Sequence, residues 1–321
     1  MSTKILSFKV FKNIDTDRLK AVIPYLGLIS VYIVFGLIAQ NKFLNVKNLL
    51  RIINQSVVIM IVGTGVSFVI SMGSLDFSPG ASAALSAALG AHVIGMTNNA
   101  VLGFLTIIVF ALTTGLLIGI LLTKFKVPSF VLTLSVLFMY RGLAIMACMG
   151  GSIPIPLWMR VFDSFIIKFV VLVVAFAVFY YIFTFTKIGI YCRAIGSNEV
   201  AANYAGVSVN KIKILAFMIS GLLTGVGACV LLVRSGGVST RFGIFLEVDV
   251  LTALVLGGLP LTGGNASKMR SIIIGSFLFM ALSNGLLLVG TSDKILQFFK
   301  GALFLIMVAL SFERKNLLVI K

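Results

Sequence analysis

The chain has little charge and few of the side chains that enzymes use for chemistry. Only 11% of its 321 residues are charged, against roughly a quarter in a typical soluble domain. It has one histidine, His92, and its 3 cysteines, Cys148, Cys192 and Cys229, have neither metal-ligand nor disulfide-framework spacing. The phosphate-binding pattern G-x-x-x-x-G-K-[ST] does not occur. We therefore expect no soluble domain, no catalytic residues, no metal site and no ATP bound by this chain through a P-loop.

Long apolar runs are what the sequence has instead. Hydrophobic residues make up 60% of the chain, and the mean hydropathy is +1.15. Because about twenty apolar residues cross the hydrocarbon of a bilayer as a helix, the pattern predicts an all-α, polytopic membrane protein, with residues 1–321 as a single transmembrane domain. Ten spans are expected, near 22–40, 52–71, 80–96, 101–122, 128–147, 164–185, 214–233, 248–263, 271–290 and 295–311.

Lysine and arginine orient these spans, because short basic loops stay in the cytoplasm. With the N-terminus inside, the inner segments hold 16 of the 26 basic residues and the outer segments hold 7. This distribution predicts that both termini, the N-terminal segment 1–21 and the loop 186–213 are cytoplasmic. The formal net charge of +17 is then mainly a topology signal, and it gives no argument for a nucleic-acid partner.

The loop 186–213 contains a polar stretch, AIGSNEVAANYAGVSVNKIK, that predicts a short surface helix. Ser197 and Asn198 are good N-caps, Glu199 suits the positive end of a helix, and Gly206 is a natural stop. The helix is either an ordinary linker or a slim knob that docks in the cleft of another protein. The residues assigned to this candidate docking element are Gly196, Ser197, Asn198, Glu199, Ala201, Ala202 and Gly206.

Two glycine-rich segments form a faint internal repeat. Residues 73–80 read GSLDFSPG and residues 257–264 read GGLPLTGG. Glycine and proline interrupt membrane helices, and matched interruptions in two halves of a transporter point to its path. The alternative is a chance similarity between two glycine-rich turns. The candidates for the path or its gate are Gly73, Asp76, Gly80, Arg141, Gly257, Gly258, Gly263, Gly264 and Asn284.

Charges within the predicted spans have two readings, because each is costly in hydrocarbon and needs a partner or a cavity. Asp76 and Arg141 either hold helices in register or contact the substrate. At the outer mouth, Glu247 lies near Arg234 and Arg241 in the sequence, where an ion-pair cluster is expected.

Residues 187–213 resemble the cytoplasmic coupling segment of the ribose-type ABC importer permeases, the membrane subunits of bacterial monosaccharide-uptake systems. Other stretches agree with that family in the same order, so the resemblance runs from about residue 43 to 310. These stretches are 43–55, 73–81, 127–144, 220–228, 246–258 and 283–290.

The chain also departs from the family pattern. Residues 72–75, MGSL, precede Asp76 where the family commonly has a glycine pair, and GGLPLTGG at 257–264 replaces a G-G-T-S-L-x-G-G run. The outer segment 237–247 matches poorly. These differences bear on the substrate rather than on the family.

The resemblance implies one half of a dimeric channel in the bacterial plasma membrane. It implies, as partners, a second permease copy or paralogue, a separate ABC ATPase that binds ATP-Mg and receives the coupling helix, and an extracytoplasmic sugar-binding protein. The lipid bilayer is the surrounding partner, and no cofactor is expected in this chain. Candidate residues for docking the binding protein are Arg234, Arg241 and Glu247.

Other functions stay open at this point. Within the family, the substrate is a ribose-like pentose or hexose, a furanose-like autoinducer or a nucleoside. A rival of another class is an ion-coupled secondary transporter, which needs membrane-embedded carboxylates, and Asp76 is the one deep candidate. A membrane scaffold without transport explains neither the broken helices nor the capped cytoplasmic helix.

Overall fold

The computed structural model describes residues 16–39 and 42–311. Residues 1–15 of the expected cytoplasmic segment 1–21 lie outside that part of the chain. The helices described are α1 Thr16–Ile38, α2 Val46–Ser71, α3 Pro79–Thr97, α4 Ala100–Phe125, α5 Ser129–Ala147, α6 Phe165–Phe185, α7 Lys187–Ser197, α8 Glu199–Tyr204, α9 Val209–Ser235, α10 Leu246–Leu256, α11 Ser271–Leu288 and α12 Asp293–Ser311.

Seven of these helices are long and apolar enough to cross a membrane, namely α2, α3, α4, α5, α6, α9 and α11. Within α1, Val22–Ile38 is a shorter apolar stretch. The multi-pass α-helical architecture is therefore confirmed. The count of ten spans and the cytoplasmic placement of both termini stay predictions.

The expected span 248–263 differs from the structure. Helix α10 has 11 residues and ends at Leu256, so it is about 16 Å long, roughly half the thickness of the hydrocarbon. The chain then turns through positive φ at Gly258, Gly263 and Gly264, and Pro260 lacks a backbone donor. The glycine-rich run that we expected inside a span therefore ends the helix early.

Local caps set several other helix ends. Asn45 caps α2, because its side-chain oxygen accepts a hydrogen bond of 2.9 Å from Lys47 N, and Asn99 caps α4 in the same way. Pro79 occupies the start of α3, where its missing N–H costs little. The chain between α2 and α3, residues 72–78, is irregular.

Helix α2 lies at the centre of the fold and α6 lies at its edge. The most apolar stretch of α2 is 83% buried, and that of α6 is 6% buried. Helix α2 contacts α6, α7, α9, α10 and α11, while α4 packs along α9 through close backbone contacts. At Gly115 of α4, an added Cβ would overlap the carbonyl of Phe217 in α9, so this approach requires glycine.

One small β ladder accompanies the helices of this all-α fold. Strand β1, Ser152–Pro154, pairs antiparallel with β2, Gly237–Ser239, and Ile153 lies opposite Val238. A 3-10 helix, Leu157–Asp163, follows β1 and leads into α6. The ladder joins the α5–α6 connection to the α9–α10 connection.

Candidate functional site

The predicted short surface helix is α8. Its N-cap is Asn198, whose Oδ1 accepts a hydrogen bond of 3.0 Å from Ala201 N, and the chain after it turns at Gly206, with φ of +85°. On the outward face of α8, Tyr204 is 88% exposed and Val200 is 64% exposed. These two side chains offer the largest apolar surface for a partner on this helix.

Ala202 lies on the opposite side of α8 from this exposed surface. It is buried, and its carbonyl accepts a hydrogen bond from Val207 N on the way to α9. Glu199 also ties α8 to α9, because its Oε1 lies 2.7 Å from Lys213 Nζ. Ala202 therefore supports the helix from within the permease, and the outward surface belongs to Val200, Tyr204 and the exposed Ala201.

Helix α7, which sequence reasoning did not predict, attaches the coupling segment to the end of α6. A Cβ at Gly189 would overlap the Phe183 carbonyl. That carbonyl accepts a hydrogen bond of 2.8 Å from Arg193 Nη1, and the guanidinium carbon lies 4.9 Å from the centre of the Phe183 ring. Phe183 is fully buried, so α7 is held at a fixed position on the bundle.

The end of α7 contacts the end of α2 and the loop after α10 through backbone atoms. A Cβ at Gly196 would overlap the Ser71 carbonyl and would lie 2.5 Å from Gly264 N. Gly264 N donates to Ser71 O at 2.9 Å, and Asn265 N donates to the hydroxyl of Ser197 at 3.1 Å. Three segments that are distant in sequence therefore meet, mainly through backbone atoms and with the Ser197 hydroxyl as the one side-chain group in these contacts.

The two copies of the glycine-rich repeat meet at the same place. A Cβ at Gly263 would lie 2.5 Å from Gly73 N, and a Cβ at Gly73 would lie 3.1 Å from Thr262 O. Segments 73–80 and 257–264 therefore touch each other, and Gly264 of the second segment also touches α7. We call this contact region the glycine junction, and it comprises Ser71, Gly73, Gly196, Ser197, Gly263, Gly264 and Asn265.

Asp76 is buried just beyond the glycine junction, in the irregular chain before α3. Its Oδ1 accepts hydrogen bonds from Ser78 N at 3.0 Å and from Ser78 Oγ at 2.7 Å, and its Oδ2 accepts one from Ser220 Oγ of α9 at 2.8 Å. The neighbouring Leu75 N donates to Ser129 Oγ of α5 at 3.2 Å. Both carboxylate oxygens are engaged, so the geometry corresponds to the register-holding reading of Asp76.

Arg141 contacts the loop before α10. Its Nη1 donates to Phe242 O at 2.7 Å and its Nη2 donates to Gly243 O at 3.1 Å. At Gly80, an added Cβ would overlap Glu247 Oε2 and lie 2.7 Å from Gly243 O. The start of α3, the start of α10 and α5 therefore meet in one group, which we call the Arg141 cluster: Gly80, Arg141, Phe242, Gly243 and Glu247.

Glu247 has an unusual position within that cluster. It is 6% exposed, and its Oε2 accepts no hydrogen bond from any residue in 16–39 or 42–311. Arg234 and Arg241, by contrast, are exposed. The structure thus separates the three residues considered for docking a binding protein, because Glu247 is buried whereas Arg234 and Arg241 are exposed residues.

The other path candidates lie apart from these two groups. A Cβ at Gly257 would overlap the Ser271 carbonyl, so this glycine brings α10 against α11. Asn284 is buried on α11, and no partner within the described chain bonds to its Oδ1. Within residues 16–39 and 42–311, no group of three His, Cys, Asp or Glu side chains has a geometry that holds a metal ion.

Sequence reasoning missed the partners that make these contacts. Ser71, Ser220 and Phe242 each supply one hydroxyl or carbonyl, and such groups carry no local signal because most buried serines and all carbonyls look alike in a sequence. The glycine at position 196 was the available clue, because a glycine inside a helix often marks a close backbone approach.

Comparison with known proteins places the chain in a family. A family model described as the permease component of a branched-chain amino acid transport system matches residues 48–308. The chain belongs to this permease family. The permease is a transport subunit and not a catalytic enzyme, and the matched range contains both the glycine junction and the Arg141 cluster.

Similar curated relatives extend over nearly the whole permease. The ribose import permease of Escherichia coli (strain K12) is 26% identical over 306 residues, covering 88% of this chain and 91% of the relative. The ribose import permease of Bacillus subtilis (strain 168) is 30% identical, covering 91% and 92%. The fructose import permease of Rhizobium meliloti is 28% identical, covering 96% and 92%. No solved structure matches the permease.

Proposed function

We propose that this permease is the membrane subunit of an ATP-driven importer of a monosaccharide. The supporting observation is similarity along nearly the whole chain to relatives named as ribose and fructose import permeases, and a relative from Azospirillum brasilense is named as an L-arabinose permease. These three substrates are a hexose and two pentoses. Although the family description names branched-chain amino acids, these full-length relatives are named for sugars.

Energy reaches the permease through α8. A separate ABC ATPase, which binds ATP-Mg, receives the exposed Val200 and Tyr204 in a cleft. Since α7 is fixed to the end of α6 and touches α2 and the loop after α10 at the glycine junction, movement of α8 is passed to both glycine-rich segments. Those segments then change the path between its outward-facing and inward-facing states.

The complete importer includes further protein partners, and the permease has a defined orientation in the membrane. A second permease copy or a paralogue forms the other half of the channel in the bacterial plasma membrane, with both termini and α8 in the cytoplasm. An extracytoplasmic binding protein delivers the sugar to the outer face, where Arg234 and Arg241 are exposed for an acidic partner surface. The Arg141 cluster closes the path between that face and the glycine junction.

Reconstitution tests this function. The permease, purified with its ATPase and binding protein, is placed in proteoliposomes, and uptake of labelled ribose, arabinose and fructose is measured with and without ATP. We expect uptake of at least one of these sugars only with ATP. Uptake of nucleosides or of furanose-like autoinducers in place of all three sugars would contradict the substrate class.

Docking of the ATPase on α8 has its own test. Tyr204→Ala should weaken ATPase binding about tenfold or more, because truncating an interface tyrosine often costs more than about 1.4 kcal/mol. Tyr181→Ala removes another exposed tyrosine, on α6, and should leave ATPase binding unchanged. Equal binding by both variants would move the docking site away from α8.

An ion-coupled secondary transporter is the competing class. It requires a carboxylate that gains and loses an ion during the cycle, whereas both oxygens of Asp76 are hydrogen-bonded. Sugar uptake driven by an imposed proton or sodium gradient in vesicles that contain no ATP would support that class and overturn the ATP-driven importer.

A further inference from the structure

The 3-10 helix Leu157–Asp163 presents large apolar side chains on the outside of the fold. Leu157 is 76% exposed, Val161 is 71% exposed and Trp158 is 42% exposed. On its other side, Met159 is fully buried and Phe162 packs against the core, with its ring 5.6 Å from that of Phe104 in α4. The segment is therefore fixed to the protein on one side and open on the other.

This segment lies at the level where several spans end. Trp158 Nε1 donates to Asn98 Oδ1 at 2.9 Å, and Asn98 is the left-handed cap that ends α3. Helix α6 begins at Phe165 and has 21 residues, so its length of about 31 Å matches the roughly 30 Å hydrocarbon thickness. Trp158, close before α6 and bonded to the end of α3, is thus at the border of the hydrocarbon.

The exposed apolar surface of the segment continues onto α6. Phe165 and Ile166, at the start of that helix, are exposed, and the most apolar stretch of α6 is only 6% buried. A spanning helix with so little contact within its own chain leaves most of its surface open to lipid, and this surface is continuous with the 3-10 helix. Arg160, on the 3-10 helix itself, is also exposed and adds a positive charge suited to phosphate groups.

We propose that the 3-10 helix Leu157–Asp163 lies in the membrane interface and binds phospholipid directly. The side chains of Leu157 and Val161 and the ring of Trp158 contact the upper acyl chains, and the Arg160 guanidinium lies at the phosphate level. Tryptophan suits this depth because its ring is apolar while its N–H keeps a polar partner, here Asn98.

The lipid contact also bears on the Arg141 cluster. Strand β1 ends at Pro154, three residues before the 3-10 helix, and it pairs with β2. Strand β2 leads to Phe242 and Gly243, the residues whose carbonyls Arg141 holds. The 3-10 helix is therefore connected to the loop before α10 through β1 and its hydrogen bonds to β2. Anchoring the 3-10 helix in the membrane would restrain that loop.

Trp158 is the single tryptophan of the chain, so its intrinsic fluorescence reports this site alone. The permease is reconstituted in vesicles of phosphatidylcholine brominated either near the headgroup or near the end of the acyl chain. We expect a large loss of Trp158 fluorescence with the shallow bromine and a smaller loss with the deep bromine. Iodide in the aqueous phase should quench weakly.

A second tryptophan position, deeper on the exposed surface of α6, serves as a reference for depth. In a Trp158→Phe background, Val173→Trp puts the fluorophore 8 residues into α6 from Phe165, about 12 Å deeper, at an exposed position. This variant should show the reverse order, with the stronger loss from the deep bromine. The comparison separates the depth of Trp158 from the general presence of lipid around the protein.

Several outcomes overturn the proposal. Strong iodide quenching of Trp158 with no loss from either brominated lipid would put the patch in water. Protection from iodide that appears only when the soluble binding protein is added would make the patch a protein-docking surface. A Trp158 that bromine at neither depth nor iodide quenches would be enclosed by protein. None of these results depends on which substrate is transported.

Discussion

Gly196→Ala is the substitution that most directly tests the glycine junction. The new methyl group would overlap the Ser71 carbonyl and lie 2.5 Å from Gly264 N, so both obstacles are backbone atoms that cannot rotate away. Overpacking of this kind typically costs about 1–3 kcal/mol, and separating Ser71 from Gly264 also loses a 2.9 Å hydrogen bond worth about 1 kcal/mol. We therefore expect about 2–4 kcal/mol of strain, concentrated where three segments meet.

The assay must separate lost coupling from lost folding. A strain of about 2–4 kcal/mol is smaller than the roughly 5–15 kcal/mol stability of a typical folded protein, so Gly196→Ala should still reach the membrane and bind its ATPase. If the strain opposes the coupled movement, sugar uptake and sugar-stimulated ATP hydrolysis in proteoliposomes should fall at least about tenfold, since 1.4 kcal/mol is a factor of ten. Basal ATP hydrolysis should persist.

A matched control uses a glycine in open space. Gly95 lies in α3, and a Cβ there would meet no atom within 4 Å, so Gly95→Ala should be silent. Ser197→Ala removes the hydroxyl that accepts from Asn265 N and should reduce coupling less, while Ser197→Thr should restore it. Uptake by Gly196→Ala at the rate of Gly95→Ala would refute the reasoning.

Three further predictions address the surrounding structure. Asp76→Ala removes the acceptors of three hydrogen bonds and leaves Ser220 without its carboxylate partner, so we expect about 2–4 kcal/mol of destabilisation. The loss should appear as a lower Tm in detergent while ATPase association persists, and an unchanged Tm would show that these bonds contribute nothing to stability. Burial raises the pKa of the Cys192 thiol to about 12, so its thiolate fraction at pH 9 is only about one thousandth and rises tenfold per pH unit. Maleimide should therefore not label Cys192 between pH 7 and pH 9 until the protein is denatured, and rapid labelling of the native protein would contradict the burial of this residue. A cysteine placed at the exposed Asn203, in a background without the three native cysteines, should react with impermeant maleimide only from the inner face, and labelling in intact cells would overturn the proposed orientation.

Much of the architecture was predictable because long apolar helices leave a strong signal. The boundaries of α3, α5 and α6 lie within a residue or two of the expected spans, since caps and breakers such as Pro79 and Asn98 mark them. Helix α10 differed because hydropathy averages over a window and does not register where glycine ends a helix. Helix α7 was not predicted because it is short and includes polar residues, so that its sequence looks like a loop. Its position depends on packing against α6, which the sequence does not show.

The groupings of functional residues were less predictable than the helices. The segments 73–80 and 257–264 were paired by sequence similarity, and the structure brings them into contact. Nothing in the sequence joins Arg141 to Phe242, because the guanidinium binds two backbone carbonyls rather than an acidic side chain. The sequence predicts Glu247 beside Arg234 and Arg241 at the outer surface because the three residues lie close in the chain, whereas the first turn of α10 places Glu247 inward, against Gly80.

The central position of α2 has a mechanical consequence. At 26 residues it is about 39 Å long, and it reaches the glycine junction at its C-terminal end, through Ser71. Because neighbouring helices enclose most of that length, we expect a displacement of Ser71 to move α2 together with the helices packed around it. The opposite end, near Asn45, should then move as well, so a conformational change at one end of this spanning helix would reach the other end through the helix itself.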